Sequence, residues 1–343
     1  MEQVGAVREP VRVAVLGATG FVGAELVRLL LDHPGVEPAF LSSERDAGTA
    51  VERALPSVRN HPGARGLRLR PLAELPEVDV AFGCLPGGRL PGVLPLVAAR
   101  AEHVVNLAGD FRLVDPAQVA EHYPASVGRS EPFAYCVPEF GVPGERLLNL
   151  PGCMAVATIY ALHPLVAGGL VGPDVVVDAK TGSSGSGRTP TEHPAERFGN
   201  FRPHKPHGHR HGPEVVQALR SLTGAEVDLQ FSTHSLDVSR GVLVSAYATL
   251  RDGATALDVR RAYLTAYGST PFVRVRGHGQ PTVKTVVGSN VAEVAALVRG
   301  RRVVVIATLD NLLKGAAGQA VQALNRLFGF PENLGLPFTA VAP

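Results

Sequence analysis

The stretch that most constrains the fold is VRVAVLGATGFVGAELVRLLLDHP, close to the start of the chain. Residues 11–16 are a short β-branched run that predicts a buried strand, and apolar residues recur at helical spacing over 24–31. Between them lie Gly17, Gly20 and Gly23. A strand, a glycine turn and a helix in this order direct backbone N–H groups and a helix N-terminus at a phosphate. A tight turn with no ligand is the alternative that this segment alone leaves open.

The end of the second predicted strand bears on which nucleotide the turn would bind. That strand spans Pro38 to Leu41 and is followed by Ser42, Ser43, Glu44 and Arg45. Enzymes that select NAD usually place a carboxylate there for the ribose 2′-hydroxyl. Two hydroxyls and an arginine suit a 2′-phosphate instead, and Glu44 is the residue that favours NAD. We therefore expect NADP(H) as the cofactor.

Strands and helices continue to alternate through the first half of the chain. A strand begins at Val78, a helix is predicted over Pro91 to Arg100, and another strand begins at His103. This βαβ alternation predicts a parallel sheet with helices on both faces. The expected fold class is α/β, with a Rossmann-type doubly wound parallel sheet.

The second half is predicted to be an α+β domain. Strand-like runs lie at 175–180 and on both sides of Arg240, and a helix is predicted over 258–267. A strong strand, a turn at Asp310 and an amphipathic helix over 314–328 follow, and we expect that helix to pack on the nucleotide-binding half. The predicted domains are residues 1–152 with 312–343, which bind NADP, and residues 153–311, which carry the catalytic groups.

Cys153 is one of three cysteines, and it follows Pro151-Gly152 at the start of an apolar run with helical spacing. A helix N-terminus has unpaired N–H groups and a partial positive charge, which lower the pKa of a thiol. Position alone leaves a nucleophile and a buried filler equally open. We interpret Cys84 and Cys136 as small buried side chains.

Two polar segments follow in the second half. Residues 181–188, TGSSGSGR, form a loop of glycines and serines that suits a phosphate or an ordinary surface position. Residues 193–211 hold five of the twelve histidines together with three arginines and a lysine. Their spacing matches no helical i, i+4 pair and no zinc finger, and the cations oppose a metal, so no metal is predicted. A solvated basic loop and a Cys–His acid–base pair remain open.

Composition excludes several classes of protein. The net charge is +2, from 33 basic and 31 acidic residues, which is too balanced for a general nucleic-acid binder. Three cysteines make no disulfide framework, and the N-terminal MEQVGAVREP lacks the apolar core of a signal peptide. No window approaches 18 uninterrupted apolar residues. We expect a cytoplasmic protein that binds neither nucleic acid nor membrane.

Six motifs taken together resemble the N-acetyl-γ-glutamyl-phosphate reductase family. They are GATGFVG, NLAGDFRL, PGC, TGSSGSGR, GHRHGPEV and LDNLLKGAAGQAVQALN, in the family's order and over nearly the whole chain. The segment ERFGNFRPHKPHGHRH is most similar to the branch that reduces aminoadipyl phosphate bound to an amino-group carrier protein, in lysine biosynthesis. The alternative is the reduction of N-acetyl-γ-glutamyl phosphate in arginine biosynthesis.

The resemblance implies NADPH-dependent reduction of an acyl phosphate to a semialdehyde, with the second half as an α+β catalytic and dimerisation domain. It implies Cys153 as the nucleophile that forms a thioester, and His209, with His211 as the alternative, as the acid–base group. The implied cofactor contacts are Gly17, Thr19, Gly20, Phe21, Val22, Gly23, Ser43, Glu44, Arg45 and Asn311. The implied substrate contacts are Arg112, Ser184, Arg202 and Arg210. The implied partners are a second copy or more of this chain, as a dimer or tetramer, and a small acidic carrier protein.

Overall fold

The structure is a computed structural model that describes residues 9–129, 131–142, 144–188 and 193–341. Residues 1–8, on which the signal-peptide prediction partly rests, lie outside the described residues, as do the last two residues of the predicted nucleotide-binding domain. The strands are β1 (Val11–Leu16), β2 (Val36–Ser42), β3 (Val78–Gly83), β4 (Ala101–Asn106), β5 (Ala134–Tyr135), β6 (Leu147–Asn149), β7 (Val171–Thr181), β8 (Arg202–Pro203), β9 (Asp228–Ser235), β10 (Val242–Leu250), β11 (Val273–Val275), β12 (Ala292–Arg299) and β13 (Arg302–Leu309). The helices are α1 (Phe21–Leu31), α2 (Val51–Ala54), α3 (Leu90–Arg100), α4 (Pro116–His122), α5 (Cys153–Ala167), α6 (Pro194–Arg197), α7 (His211–Thr223), α8 (Ala256–Tyr267) and α9 (Gly318–Leu327).

The first sheet has the order β2-β1-β3-β4-β6-β5, and all its neighbouring strands are parallel. Its strands are apolar on both sides because helices cover both faces. Leu26 of α1 packs with Val13 on one face, and Leu94 of α3 packs with Ala14 on the other. The predicted doubly wound α/β class is confirmed. The sequence did not predict β5, whose two residues are too few to show a pattern.

The second sheet is mixed, with the order β11-β12-β13-β10-β7-β9-β8. Only the pairs β11–β12 and β7–β9 are parallel among its described strands. Helices α5, α7 and α8 pack on one face and build the largest apolar cluster. Helix α5 is apolar around most of its circumference, as expected for a helix buried between other elements.

The other face of the second sheet carries a row of apolar side chains across four adjacent strands. Val176 lies opposite Tyr247, Tyr247 opposite Val304, and Val304 opposite Leu297. Three of the four are more than two-fifths exposed, at 48% for Val176, 44% for Tyr247 and 44% for Leu297. A contiguous exposed apolar row of this kind marks an interaction surface.

The helix predicted over 314–328 begins as one turn of π-helix, Leu313–Ala317, and continues as α9. Two glycines allow this turn to pack closely on other elements. A Cβ at Gly315 would lie 2.7 Å from Cβ of Cys153, and one at Gly318 would lie 2.0 Å from Oδ1 of Asn290. Residues of α9 pack against α1, so the prediction that this helix packs on the nucleotide-binding half is confirmed. No helix in the described ranges is long and apolar enough to cross a membrane.

Candidate active site

Cys153 is the first residue of α5, and Gly152 before it has extended backbone with φ −68° and ψ 153°. The backbone N–H of Met154 donates to the sulfur. Burial nevertheless raises the pKa of the thiol to about 11, and it outweighs that N–H and the positive charges of Arg112 and Arg210. The helix N-terminus therefore acts on this pKa in the expected direction, but burial reverses the net shift, and the expected thiolate at neutral pH does not form in the protein without ligands. A base must remove the proton before the sulfur can act as a nucleophile.

His211 is the side chain that packs directly on the turn before Cys153. A Cβ at Gly152 would lie only 2.2 Å from Nε2 of His211, so the glycine is what lets the ring approach. His209 lies behind it, with ring centroids 4.7 Å apart, and its Nδ1 accepts the backbone N–H of His211 at 3.1 Å. The arrangement thus puts the alternative candidate, His211, nearer to the cysteine turn.

Both histidines are buried, and this fixes their protonation. Burial, together with the charge of Arg210, lowers the pKa of His209 to about 3. Burial, followed by the charges of His209 and Arg210, also lowers the pKa of His211 well below its usual range. Both imidazoles are therefore neutral near pH 7, which is the form that accepts a proton.

Glu214, which the sequence interpretation missed, connects the cluster. Its buried carboxylate accepts the backbone N–H of Gly152 and the hydroxyl of Tyr135 at Oε1, both at 2.8 Å. Oε2 lies 3.5 Å from NH1 of Arg112 and 4.0 Å from Nε2 of His211. The available signal was the spacing His211 to Glu214 in GHRHGPEV, since residues i and i+3 share one face of a helix.

The predicted substrate contacts are distributed unequally around this cluster. Arg112 is buried, its NH2 donates to the carbonyl of Leu107 at 2.8 Å, and its Nε has no hydrogen-bond partner among the described residues. Arg210 is exposed at the N-terminus of α7. Arg202 lies in the edge strand β8, and no described contact joins it to Cys153.

A cavity of about 1000 Å³ opens beside the cluster, between residues 112–122 on one side and α7 with β9 on the other. Arg112, Tyr135 and His209 line it, and much of the remaining lining is apolar. Concave sites with a few converging polar groups are the usual form of ligand sites, and this volume is ample for a small phosphorylated substrate.

The glycine turn after β1 has two glycines that the fold itself requires. Gly17 has φ +85°, and a Cβ there would lie 2.7 Å from the carbonyl oxygen of Cys84. A Cβ at Gly23 would lie 2.2 Å from the carbonyl oxygen of Gly17. At Gly20, by contrast, the nearest protein atom would be 3.5 Å away. No described side chain caps α1, which begins after Gly20, so the N–H groups of its first turn remain available to a ligand.

The polar residues after β2 form a small network beside this turn. Ser43 donates to Asp46 at 3.0 Å and shares a hydrogen bond with the hydroxyl of Thr19 at 3.1 Å. Arg45 is exposed and pairs with Asp46 at 3.3 Å. Glu44, the residue that favoured NAD, instead accepts the backbone N–H of Leu72 at 2.8 Å. Asp46, which the sequence interpretation did not single out, is the carboxylate beside Ser43.

Asn311 and Ser184, predicted for cofactor and substrate respectively, are in contact. The amide of Asn311 donates to Oγ of Ser184 at 2.9 Å and accepts the backbone N–H of Gly241 at 2.7 Å. Arg240, next to Gly241, pairs with Glu25 of α1 at 2.6 Å and with Asp310 at 3.4 Å. These contacts join the end of β13, the glycine–serine loop and α1 at one place.

Within the described ranges, no group of three or more His, Cys, Asp or Glu side chains is placed to hold a metal ion.

A parallel sheet followed by a mixed second sheet is the architecture of the semialdehyde dehydrogenases, as solved structures and family models show. A solved aspartate semialdehyde dehydrogenase II from Vibrio cholerae superposes with a TM-score of 0.71 at 19% identity, over 94% of this chain and 99% of that one. A solved aspartate semialdehyde dehydrogenase from Candida albicans, determined with NADP, gives a TM-score of 0.67 at 17% identity, over 95% and 100% of the two chains. At these identities the likeness concerns the fold.

Family models and sequence relatives are more specific. Residues 12–145 match the semialdehyde dehydrogenase NAD binding domain, and residues 153–311 match the semialdehyde dehydrogenase dimerisation domain. N-acetyl-gamma-glutamyl-phosphate reductase 1 of Lactiplantibacillus plantarum is 41% identical over 95% of this chain and 97% of its own length. A protein of Thermomicrobium roseum described provisionally as a LysW-L-2-aminoadipate 6-phosphate reductase is 39% identical over 97% and 99%.

The chain therefore belongs to the N-acetyl-γ-glutamyl-phosphate reductase family of acyl-phosphate reductases, as its motifs indicated, and is an oxidoreductase with a nicotinamide-dinucleotide-binding domain.

Proposed function

We propose that this chain reduces an acyl phosphate to a semialdehyde with NADPH, through a thioester on Cys153. The proposed substrate is aminoadipyl 6-phosphate, and also glutamyl 5-phosphate, carried on an amino-group carrier protein. The observation that carries the chemistry is the close approach of His211 to Gly152, since it sets a neutral imidazole beside the residue that precedes the thiol. Glu214 accepts the N–H of Gly152 with one oxygen, and its other oxygen faces Nε2 of His211 at 4.0 Å.

The first half-reaction begins with transfer of the thiol proton to the imidazole of His211. His211, neutral in the free protein, accepts the thiol proton, and the carboxylate of Glu214 stabilises the imidazolium that forms. The thiolate attacks the carbonyl carbon of the acyl phosphate, the carbon–oxygen bond to phosphate breaks, and a thioester remains on Cys153. The positive charges of Arg112 and Arg210 act on the sulfur of Cys153, which supports the proposal that they compensate the charge of the phosphate.

The residues at the glycine turn fit a dinucleotide. Gly20 leaves open space that the fold does not need, the first N–H groups of α1 suit a diphosphate, and Ser43 and Arg45 suit a 2′-phosphate. When bound, NADPH supplies the hydride that reduces the thioester. His211 returns its proton to the carbonyl oxygen, and loss of thiolate from the resulting thiohemiacetal releases the aldehyde and a proton.

The carrier-bound substrate is supported by an exposed segment before α7. Phe198 and Phe201 are 84% and 61% exposed, and Lys205 and Arg210 on the same segment are exposed cations. Exposed aromatics among basic residues suit an acidic protein partner better than they suit a small metabolite. The relative from Thermomicrobium roseum carries LysW, a carrier, in its name.

N-acetyl-γ-glutamyl phosphate is the second candidate, favoured by the 41% identity to the Lactiplantibacillus plantarum reductase. Turnover of the two substrates side by side separates the candidates. A carrier-specific enzyme has a kcat/KM for carrier-bound aminoadipyl phosphate at least tenfold above that for the N-acetylated compound, and the opposite ratio would refute the substrate assignment.

We also propose a homo-oligomer, a dimer or tetramer, in which the exposed row Val176, Tyr247, Val304 and Leu297 packs on the same row of a second copy. In a two-fold interface the same surface patch of both subunits makes the contact, so the patch must be complementary to itself. An apolar sheet face can pack on an identical apolar face in this way. The domain boundaries proposed with it are residues 1–152 with 312–343 for the cofactor, and 153–311 for catalysis.

The thioester is tested with Cys153→Ser in the reverse direction, as phosphate-dependent reduction of NADP by the aldehyde. The variant is expected to lose turnover with the aldehydes of both candidate substrates, because serine lacks the acidity to form the nucleophile. Its Kd for NADPH is expected to be unchanged. Cys136→Ser, at a buried cysteine outside the cluster, is the matched control and is expected to retain activity. Turnover by Cys153→Ser within tenfold of the unmodified chain would contradict the mechanism.

A further inference from the structure

The loop 182–188 of the second sheet crosses to the glycine turn of the first. NH1 of Arg188 donates to the carbonyl oxygen of Thr19 at 2.7 Å, a contact between residues 169 apart in sequence. Thr19 lies inside the turn GATGFVG, between Gly17 and Gly20. The guanidinium of Arg188 is exposed, so it sits over the turn and remains open to solvent.

The loop is fixed firmly enough to hold an arginine there. The backbone N–H groups of Gly182, Ser183 and Ser184 donate to the carbonyls of Gly241, Val238 and Ser239 at 2.8 to 3.0 Å. Gly187 has φ +79° and turns the chain immediately before Arg188. Anchored at its first three residues, the loop reaches the turn with its last, so the position of Arg188 follows from backbone contacts in the second domain.

The glycine turn has no positive side chain of its own to balance the charge of a bound diphosphate. The seven residues GATGFVG carry no charged side chain, while a dinucleotide diphosphate carries two negative charges. Of the nearby cations, Arg240 pairs with the buried carboxylate of Glu25, and Arg45 is the residue proposed for the 2′-phosphate. A guanidinium has five N–H donors, and Thr19 takes one of them.

We infer that Arg188 binds the diphosphate of the nicotinamide dinucleotide, and so contributes a cofactor contact from the catalytic domain. The inference rests on the proposed cofactor site at the glycine turn. The loop that carries Arg188 also carries Ser184, a proposed substrate contact that accepts a hydrogen bond from Asn311, so one segment holds proposed contacts for both the cofactor and the substrate. The diphosphate is common to NADPH and NADH, whereas the 2′-phosphate is not, and this difference makes the assignment testable.

The experiment measures Kd for NADPH and for NADH by fluorescence titration of the whole chain without substrate. Arg188→Ala is expected to raise both Kd values by the same factor, roughly 10- to 100-fold, the usual effect of losing a charge-assisted hydrogen bond to phosphate. Arg188→Lys keeps the charge but lacks the forked donors of the guanidinium, so its Kd values are expected to lie between those of the unmodified chain and those of Arg188→Ala. Arg45→Ala is expected to weaken NADPH alone. Arg260→Ala, an exposed arginine on α8, is the matched control and leaves both values unchanged.

Each result bears on the inference. Equal weakening of both dinucleotides supports the diphosphate contact. Both values within twofold of the unmodified chain would show that Arg188 only docks the loop on Thr19, and weakening of NADPH alone would place the arginine at the 2′-phosphate; either overturns the inference. If the unmodified chain binds neither dinucleotide, the proposed cofactor site fails and this contact fails with it.

Discussion

Replacement of Glu214 by glutamine changes one charge at the centre of the cluster with almost no change in shape. Glu214 uses Oε1 for Gly152 and Tyr135, and Oε2 faces Arg112 and His211. Glutamine has a single acceptor oxygen. If that oxygen keeps the contacts to Gly152 and Tyr135, its NH₂ group must face the donors of Arg112.

The magnitude follows from the distances. At an effective dielectric constant of about 20, a unit charge 3.5 Å from Arg112 contributes roughly 5 kcal/mol, and one 4.0 Å from a protonated His211 roughly 4 kcal/mol. The energy for Arg112 is the direct attraction between the two charges and is not the measured change in stability. Removing one partner of a buried pair lowers the free energy of unfolding by about 3–5 kcal/mol. The energy for His211 stabilises the imidazolium that forms when the thiol is deprotonated. Losing most of that stabilisation lowers kcat by about 10²- to 10³-fold.

Urea unfolding followed by circular dichroism measures the first effect, and kcat with a saturating acyl phosphate measures the second. Glu226→Gln is the matched control, because that glutamate forms an exposed pair with Arg220 and such pairs contribute about 1 kcal/mol or less. A Glu214→Gln chain with kcat within threefold of the unmodified value, and an unfolding free energy within about 0.5 kcal/mol, would refute the role given to this carboxylate.

Three further predictions concern other parts of the molecule. Gly315→Ala places a Cβ 2.7 Å from Cβ of Cys153, and since misplacement by about 1 Å can cost 10²-fold in rate, kcat is expected to fall at least tenfold with Kd for NADPH unchanged; equal kcat would contradict the packing. Burial lowers the pKa of His163 to about 4, so below pH 6.5 the unfolded chain binds more protons than the folded one and stability falls as pH falls. His163→Gln is expected to reduce that slope between pH 6.5 and 4 by up to about 1.4 kcal/mol per pH unit in urea unfolding, and an unchanged slope would exclude the histidine as its source. Tyr247→Glu puts a charge in the exposed apolar row and is expected to reduce the molar mass in light scattering to that of a single chain, whereas an unchanged mass would place the interface elsewhere.

The sequence predicted those elements whose signal is local. β1 is found at the predicted residues, and Cys153 begins a helix as expected, because β-branched runs and Pro-Gly turns act over a few residues. The last helix was predicted as one regular segment, but it begins with a π-helical turn. The close approach of Gly315 to Cys153 is a tertiary contact, and no periodicity in the segment records it.

The pKa of Cys153 shows where a local argument gives the wrong sign. The helix N-terminus and the neighbouring arginines do favour thiolate, as position suggested, but burial of the sulfur is a larger effect and depends on elements far along the chain. Free thiols are oxidised through the thiolate, so a high pKa protects the cysteine until a substrate and a base are in place. In the proposed mechanism, activation of Cys153 then depends on His211 and Glu214.

The reactive side chains lie at the ends of elements, and that much is visible in sequence. Cys153 and His211 are the first residues of α5 and α7, and Asn311 follows the end of β13. What the sequence does not record is that the two helix N-termini face each other, because this follows from packing of α5 against α7 on the second sheet. Glu214 acquires its role only in that geometry, where one carboxylate can reach the N–H before one helix and the histidine that begins the other. The spacing from His211 to Glu214 indicates only that the two residues share a helix face. It does not record the contact with Gly152, and this is why Glu214 was missed while Cys153 and His211 were found.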